Sequence, residues 1–269
     1  FEDSRGWMWV GTGSKGVDVY DPRTGLFHHI NPDFPPAEQV VFTNPRTFLE
    51  GRDGSIWVQY HGRGLVRIEI PEHWRAGLPQ ESELGKLTKI AHCPMPDWDA
   101  GRERWVNMWL EADGRMTAFS SLQQYRVTSD MKAVAIGHSD LWPSLIYSAE
   151  PDERLGKDGF WLLGESGRLY SFRHGQLSFI PTPLDWENQQ SSVQNDGKED
   201  ILLMFGDRVW RLDPQRQLDW GKPQWVLDRD VKSVCTDRNG NFWVGTAGYG
   251  LRRFNPRFEA FRTGVAGQS

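Results

Sequence analysis

The sequence predicts an all-β fold made of four-stranded antiparallel blades, the architecture of a β-propeller. Glycine and proline are frequent, with 28 and 16 copies spread along 269 residues, and this density of turn-forming residues leaves little room for long helices. Aromatic residues make up 13% of the chain, and aromatic side chains favour half-buried strands. A motif that recurs about every 47 residues matches the length of one propeller blade.

The recurring motif is a tight turn followed by a strand with a central tryptophan. Its clearest copies run from Asp3 to Thr12 and from Asp237 to Thr246, and two further copies begin near Asp53 and Asp158. Two weaker copies lack the tryptophan. We therefore predict about six blade units over residues 1–269, anchored near the turn glycines Gly6, Gly54, Gly114, Gly159, Gly197 and Gly240.

The other strands of each unit follow a common order. After the tryptophan strand, a glycine-containing turn leads into a short strand with period-two alternation, as at Gly16 to Tyr20. An Asp-Pro or Asn-Pro pair ends several of these strands, because proline cannot donate a hydrogen bond to the sheet. A fourth strand comes next, and an innermost strand such as Val231 to Thr236 precedes the following turn.

Two segments depart from the regular repeat. The step from Gly54 to Gly114 is the longest, and we expect an insertion around Pro71 to Lys86 in the loop between a third and a fourth strand. Only two residues precede Asp3, so the first blade is expected to lack most of its innermost strand. We therefore expect a ring that is open, or completed by residues outside this chain, with an edge that favours association.

Charge and hydropathy exclude several kinds of partner. The formal net charge is −5 and no dense run of Lys or Arg occurs, which argues against a nucleic-acid or anionic-membrane surface. No stretch approaches the roughly 18 apolar residues of a transmembrane helix, so we expect no membrane insertion by this segment. No signal-peptide pattern follows Phe1. We expect a piece of a larger protein whose signal and anchor segments are absent from this chain.

Motifs for catalysis and metal binding are absent from the sequence. The segment from Gly11 to Gly16 matches G-x-G-x-x-G, but a strand follows it where a dinucleotide site requires a helix N-terminus, so we interpret it as a turn. The segment from Asp237 to Asn241 is similar to the start of a calcium loop, but Gly248 stands where an acidic ligand is expected. Cys93 and Cys235 have no metal-like spacing. We predict no catalytic residue, no metal site and no cofactor.

The repeat resembles a known family. Trp-Val-Gly-Thr is followed by Gly-Val/Leu-x-x-Tyr/Phe-Asp/Asn-Pro at Trp9 to Pro22 and at Trp243 to Pro256, and this pattern is similar to the two-component regulator propeller repeat. The resemblance covers most of the chain, with four convincing units and two degenerate ones.

This resemblance implies an extracytoplasmic sensor. Repeats of the family build the sensor regions of bacterial hybrid two-component systems, which implies a periplasmic or extracellular location. Members usually have seven blades and often contain two propellers, so six units imply part of a seven-bladed or tandem propeller. The family also implies sensing, frequently of oligosaccharides, without enzymatic activity in this segment. We further allow for a homodimer formed through the parent protein.

The tryptophans divide into two groups. Trp9, Trp57, Trp161 and Trp243 recur at one register of the repeat, and we interpret them as core residues between blades. Tryptophans that the repeat does not require are better candidates for ligand contacts, and these are Trp74, Trp98, Trp105, Trp142 and Trp186.

A ligand site is expected on the face where the second-to-third strand turns and the connections between blades emerge, since loops vary while blades stay rigid. The turns contain Lys15, His61, Arg63, Glu165 and Tyr249, and Asn44, Arg46, Trp98, Arg102 and Lys232 lie in or near the starts of innermost strands. Arginine and histidine donate hydrogen bonds to hydroxyl or carboxylate groups, and aromatic rings stack on sugars. The predicted ligand-binding residues are His61, Arg63, Trp98, Arg102 and Tyr249.

Two other function classes remain open. One is a protein-interaction scaffold, similar in role to WD-repeat proteins. The other is a propeller lyase or hydrolase, such as an enzyme resembling the virginiamycin lyase group. A lyase requires a cluster of histidines, carboxylates or metal ligands on one face, and the seven histidines are scattered along the sequence.

Overall fold

Antiparallel strands make up nearly all regular structure in a computed structural model of the protein. It describes residues 1–13, 16–30, 45–60, 64–77, 89–96, 103–111, 113–128, 130–136, 142–156, 158–182, 191–196, 200–213, 220, 223–227, 229–237, 239–248 and 250–255. Within these ranges the only helices are three short 3-10 segments, Glu72–Ala76, Glu153–Leu155 and Glu165–Gly167. The strands form six separate sheets, each of which we call a blade.

The first compact unit, Phe1–His138, contains blades 1 to 3. Blade 1 consists of β1 (Met8–Thr12), β2 (Gly16–Asp21) and β3 (Leu26–Ile30). Blade 2 consists of β4 (Pro45–Glu50), β5 (Ile56–Tyr60), β6 (Leu65–Glu69) and β7 (Lys89–Cys93). Blade 3 consists of β8 (Trp105–Leu110), β9 (Met116–Ser120), β10 (Gln124–Val127) and β11 (Ala133–Ile136).

The second compact unit, Ser139–Ser269, contains blades 4 to 6. Blade 4 consists of β12 (Ile146–Pro151), β13 (Phe160–Gly164), β14 (Leu169–Arg173) and β15 (Gln176–Ile180). Blade 5 consists of β16 (Ser191–Asn195), β17 (Ile201–Phe205), β18 (Arg208–Leu212) and β19 (Trp225–Val226). Blade 6 consists of β20 (Val231–Thr236), β21 (Phe242–Thr246) and β22 (Gly250–Phe254).

These sheets confirm the predicted all-β fold of antiparallel propeller blades. The two units without the repeat tryptophan form complete four-stranded sheets, blades 3 and 5. Among the described residues blade 1 has three strands, preceded by a single bridge between Glu2 and Met8, and its predicted lack of an innermost strand stays a prediction. The fourth strand expected in blade 6, around Phe258, lies outside the described residues. Whether the ring closes stays a prediction.

The predicted insertion lies where it was expected, between β6 and β7. Its described part contains the 3-10 helix Glu72–Ala76. Trp74, which the sequence offered as a ligand contact, is only 1% exposed and belongs to the core between blades 1 and 2. The expectation for Trp74 was wrong because the insertion folds back and adds its large aromatic side chain to that core.

Neighbouring blades pack by one rule within each unit. The face of blade 1 that carries Trp9 packs on Ile56 and Val58 of blade 2. The opposite face of blade 2 carries Trp57, which packs on Met108 and Met116 of blade 3; Trp161 packs in the same way on Val193 and Ile201 of blade 5. Trp9, Trp57 and Trp161 are therefore core residues between blades, as predicted. Trp243 of blade 6 is half-buried and belongs to none of the described core clusters.

A carboxylate at the start of each regular turn ties down the following tryptophan. In blade 1, Asp3 Oδ2 accepts a hydrogen bond from Trp9 Nε1 at 2.9 Å. In blade 6, Asp237 Oδ2 accepts one from Trp243 Nε1 at 2.9 Å, and hydrogen bonds from Asn241 and Trp243 lower the pKa of Asp237 to about 2. In blade 4, Asp152 Oδ2 accepts from Trp161 Nε1 at 2.7 Å. The interaction joins the turn, the strand and the core.

The other blades either replace this carboxylate–tryptophan hydrogen bond with another interaction of the carboxylate or lack the carboxylate. In blade 3 the turn begins with Glu111, whose Oε1 accepts a hydrogen bond from the Thr117 hydroxyl at the tryptophan position. In blade 5, Asp196 instead accepts one from Arg211 Nη2 at 2.9 Å. Blade 2 begins its turn with Gly51, so this position supplies no carboxylate.

A half-buried glutamate also lies between blades 4 and 5. Glu150 Oε1 accepts a hydrogen bond from the Asn195 backbone N–H at 3.1 Å. Burial raises the pKa of Glu150 to about 7, although the hydrogen bonds from Asn195 act in the opposite direction. The folded protein therefore binds a proton at Glu150 over a pH range in which the unfolded chain does not.

Replacing Trp161 with Phe is expected to destabilise the protein more than replacing Trp57 with Phe. Both changes shorten a buried aromatic side chain, but only Trp161→Phe removes the hydrogen bond to a carboxylate, which is worth about 1–3 kcal/mol. Equilibrium urea denaturation measures both losses. Equal losses would show that the carboxylate–indole hydrogen bond adds no stability.

Stability is expected to fall as the pH rises from 5 to 8. A carboxyl group whose pKa is raised in the folded state stabilises that state while it is protonated, and the contribution is lost as the pH passes its folded pKa of about 7. Glu150→Gln keeps the acceptor for Asn195 and cannot ionise. Denaturation at several pH values should show a smaller decline for Glu150→Gln, by at most about 3 kcal/mol; an unchanged decline would contradict the assignment to Glu150.

Candidate functional site

The two ends of each sheet carry different parts of the chain. The turns between first and second strands lie at one end, which we call the turn end. The turns between second and third strands lie at the other, the loop end. In blade 2 the register places Pro45, Tyr60, Leu65 and Cys93 together at the loop end.

All five predicted ligand-binding residues lie outside the described residues: His61, Arg63, Trp98, Arg102 and Tyr249. The strands that flank them are described. Residues 61–63 connect β5 to β6, and residues 97–102 fall between β7 and β8. Both connections leave the loop end of blade 2, whereas residue 249 falls between β21 and β22 of blade 6. The ligand site stays a prediction.

Several residues predicted at the same loops are described. Arg46 on β4 and Lys232 on β20 are exposed on innermost strands. Glu165 lies in the 3-10 helix between β13 and β14, and its Oε1 accepts a hydrogen bond from Ser144 Oγ at 2.6 Å. These positions agree with the predicted mapping, whereas Lys15 and Asn44 lie outside the described residues.

A β-bulge recurs at the loop end of innermost strands, and no sequence pattern predicts it. The pairing shifts between Pro45 and Thr47, and the same kind of shift occurs once each in β8, β12 and β20. The skipped residues are Arg46, Val106, Tyr147 and Lys232. Bulges redirect side chains and are frequent next to functional sites. Tyr147, which is 47% exposed, is therefore a candidate contact that sequence reasoning missed.

Of the four other tryptophans that the repeat does not require, two lie among the described residues and two lie outside them. Trp142 is half-buried, with its ring 6.5 Å from that of Phe160. Trp105 is the first residue of β8. Trp98 and Trp186 lie outside the described residues, so their predicted role is untested.

The G-x-G-x-x-G segment is a turn between strands, as predicted. It joins β1 to β2, and Thr12 Oγ1 donates a hydrogen bond to the Gly16 carbonyl at 2.9 Å. Blade 6 repeats this geometry, with Thr246 Oγ1 donating to the Gly250 carbonyl at 3.1 Å. Since a strand follows in both blades, no helix N-terminus is present to bind a pyrophosphate.

A cleft of about 180 Å³ lies at the turn end between blades 2 and 3; we call it the turn-end cleft. Blade 2 contributes Gly51, Arg52, Asp53, Trp57 and Arg67, and blade 3 contributes apolar side chains that include Leu110, Met116 and Val127. The Arg67 guanidinium lies 5.9 Å from the centre of the Trp57 ring and forms an ion pair with Asp53. None of these cleft residues except Trp57 was singled out in the sequence, and Trp57 was interpreted there as a core residue.

Across the described ranges, no group of three or more His, Cys, Asp or Glu side chains is arranged to hold a metal ion. Nor does any helix within them have the length and apolar character needed to cross a membrane. Cys93 and Cys235 are free thiols, the first buried and the second exposed.

Comparison with known families supports the resemblance seen in the sequence. Residues 226–248 match the family described as "Two component regulator propeller". The match covers the innermost strand of blade 6 and its tryptophan strand. No curated protein sequence is significantly similar to the chain.

Solved structures share the fold at low sequence identity. Virginiamycin B lyase from Staphylococcus aureus aligns with a TM-score of 0.62 and 12% identity, over 94% of this chain and 82% of that one. The extracellular domain of a putative one component system from B. thetaiotaomicron aligns with a TM-score of 0.59 and 18% identity, over 92% of this chain. This chain spans only 31% of that domain. A protein of unknown function from Bacteroides caccae aligns with a TM-score of 0.54 and 10% identity, over 93% of this chain and 89% of that one.

One thiol is expected to react rapidly with a thiol reagent at pH 8. Cys235 is exposed, whereas Cys93 has no exposed surface and burial raises the pKa of its thiol to about 11. The thiolate is the reactive form. Labelling kinetics should show one fast thiol per chain, and Cys235→Ser should remove it. Two thiols with equal rates would contradict the buried position of Cys93.

Proposed function

We propose that this chain is the ligand-sensing part of an extracytoplasmic bacterial two-component signalling protein, and that it responds to an oligosaccharide. Recognition takes place at the loop end of the first unit's blades, through His61, Arg63, Trp98 and Arg102. Within the second unit, Tyr249 is proposed as a separate contact at the loop end of blade 6. The segment itself does not catalyse a reaction. Binding is passed to an output domain outside this chain.

The single observation that carries this proposal is the arrangement of connections at the loop end of blade 2. The register brings Pro45, Tyr60, Leu65 and Cys93 to one end of the sheet, so the segments with residues 61–63 and 97–102 start from the same edge. Exposed Arg46 occupies the bulge at that edge. Arginine, histidine and tryptophan in this combination suit a hydroxyl-rich ligand, because they add hydrogen-bond donors to a flat ring.

The comparisons support a sensor over the alternatives without deciding the ligand. The matched family takes its name from two-component regulators, and one structure with the same fold is an extracellular domain of a putative one component system. That likeness favours a location outside the cytoplasm. A lyase also shares the fold, so a propeller enzyme, an interaction scaffold and a homodimer formed through the parent protein are outcomes to be tested.

Arg63→Ala is expected to weaken saccharide binding by about 1–3 kcal/mol with little change in melting temperature, since it removes a donor from an interstrand turn. A panel of neutral and acidic oligosaccharides is first screened by thermal shift, because a ligand that binds only the folded state raises the melting temperature. Calorimetry then compares Arg63→Ala, Trp98→Ala and the control Arg173→Ala, which removes an exposed arginine at the turn end of blade 4.

The outcomes separate the function classes. Weaker binding in Arg63→Ala and Trp98→Ala, but not in Arg173→Ala, supports recognition at the loop end. If Arg63→Ala and Trp98→Ala both keep the wild-type affinity, recognition lies elsewhere. Conversion of the saccharide by the wild-type chain would support an enzyme, and a panel without any thermal shift would favour a scaffold.

A further inference from the structure

Blade 1 has one buried face and one exposed face. Trp9 lies on the buried face, in the core between blades 1 and 2. The other face carries a row of apolar side chains across the sheet, Met8, Tyr20 and Phe27, with Val10 in the next row. Met8, Val10 and Phe27 are 47%, 39% and 61% exposed. We call this surface the open face of blade 1, and a contiguous exposed apolar surface of this kind marks an interaction site.

The equivalent face is buried in every blade that has a preceding neighbour in its unit and a first apolar strand residue of this type. Met8 is the first residue of its strand, and the residues at this position in blades 2, 5 and 6 are Ile56, Ile201 and Phe242. Each of these three is at most 3% exposed, and Val58, Leu203 and Val244, at the position of Val10, have no exposed surface. They pack on the preceding blade, on the face that carries its tryptophan position.

Blade 6 exposes the other kind of face. Its face with Phe242 packs on blade 5, whereas Trp243 on the opposite face is half-buried and Leu251 is 63% exposed. We call this surface the open face of blade 6. The pairing of strands puts Val17, Leu65 and Leu169 at the position of Leu251 in blades 1, 2 and 4. None of these three has exposed surface, because each packs on the following blade of its unit.

The two open faces also carry opposite charges. On blade 1, Asp18 lies in the row of Val10 and contacts His29, with 2.6 Å between Oδ1 and Nδ1. With a neutral histidine, this pair has the charge of the carboxylate. On blade 6, the Arg253 guanidinium lies 5.7 Å from the centre of the Trp243 ring, and no carboxylate among the described residues pairs with it. Attraction between opposite charges therefore favours contact between the two faces over contact of either face with its own copy.

We propose that copies of this chain associate head to tail, through the open face of blade 6 in one copy and the open face of blade 1 in the next. In this contact Trp243 of one copy packs on Met8 and Val10 of the other, as tryptophans pack between blades within the chain. The contact is heterologous, so repeated addition of chains gives a ring of chains or a filament. It does not depend on the proposed saccharide site.

Sedimentation velocity of the chain over a range of concentrations tests this proposal. The average mass should rise with concentration, because each chain has one face of each kind. Val10→Lys puts a charge on the open face of blade 1, and Leu251→Lys puts one on the open face of blade 6. Since burial of an unpaired charge is costly, each variant alone should associate roughly tenfold or more weakly than the wild type.

Both variants are expected to keep the fold. Val10 is paired with Asp18 on the neighbouring strand, so the new lysine lies opposite a carboxylate, and such a cross-strand pair is favourable. Leu251 is exposed and pairs with Gly245, so a longer polar side chain has room there. At low concentration, both variants should melt at the wild-type temperature.

A mixture of the two variants distinguishes this contact from other modes of association. Val10→Lys keeps an intact open face on blade 6, and Leu251→Lys keeps one on blade 1. An equal mixture should therefore form a species of two chains and nothing larger. Val226→Lys adds the same charge at a valine of β19 that is 63% exposed, and this matched control should associate like the wild type.

Four results would overturn the proposal. The first is a wild-type chain that stays monomeric at every concentration. The second is association that only one of the two variants abolishes, because one face would then pair with its own copy in a symmetric dimer. The third is a mixture of variants that stays monomeric, or a Val226→Lys chain that loses association as well. The fourth is a lower melting temperature of both variants at low concentration, which would show that both faces are covered within a single chain.

Discussion

The packing of each tryptophan face on the next blade is the interaction on which the rest of this structure depends. A three- or four-stranded sheet has two faces and cannot bury both by itself, so each blade needs a neighbour on either side. The hydrogen bond from Trp9 to Asp3, or from Trp161 to Asp152, holds the indole ring in the orientation in which it packs on the next blade. Turn geometry and core packing are thus set by the same pair of side chains.

Because the same side chains set the turn and the core, the two ends of a blade differ in how freely their residues can be substituted. At the turn end, the residues that shape the turn also hold the core, so a substitution there changes stability. At the loop end, the chain leaves the sheet through connections such as residues 61–63, and a bulge exposes Arg46. Binding residues can therefore change at the loop end without disturbing the contacts between blades. Blade 2 differs from this pattern, because Gly51 stands where other blades have a carboxylate and lines a cleft at the turn end.

The repeat made most of the fold predictable, because position in the repeat determines burial. The six blades, the core role of Trp57 and the insertion before β7 all follow from the spacing of turns. Trp74 was misjudged because an insertion has no repeat to align with, and its burial depends on how it folds back. The cleft could have been found: Gly51 stands three residues before Gly54, where Asp3 stands three before Gly6. The bulge at Arg46 has no such sequence signal.

The packing rule between blades also determines how such a chain can change in length. Each blade offers one face with the tryptophan position of the repeat and one opposite face, so duplication of a whole unit creates one new contact of the existing kind and breaks none. Loss of part of a unit leaves a tryptophan face without cover. Viable gains and losses of sequence in the blade framework therefore come in whole units of about 47 residues, whereas insertions of other lengths are confined to connections such as the one that contains Glu72–Ala76.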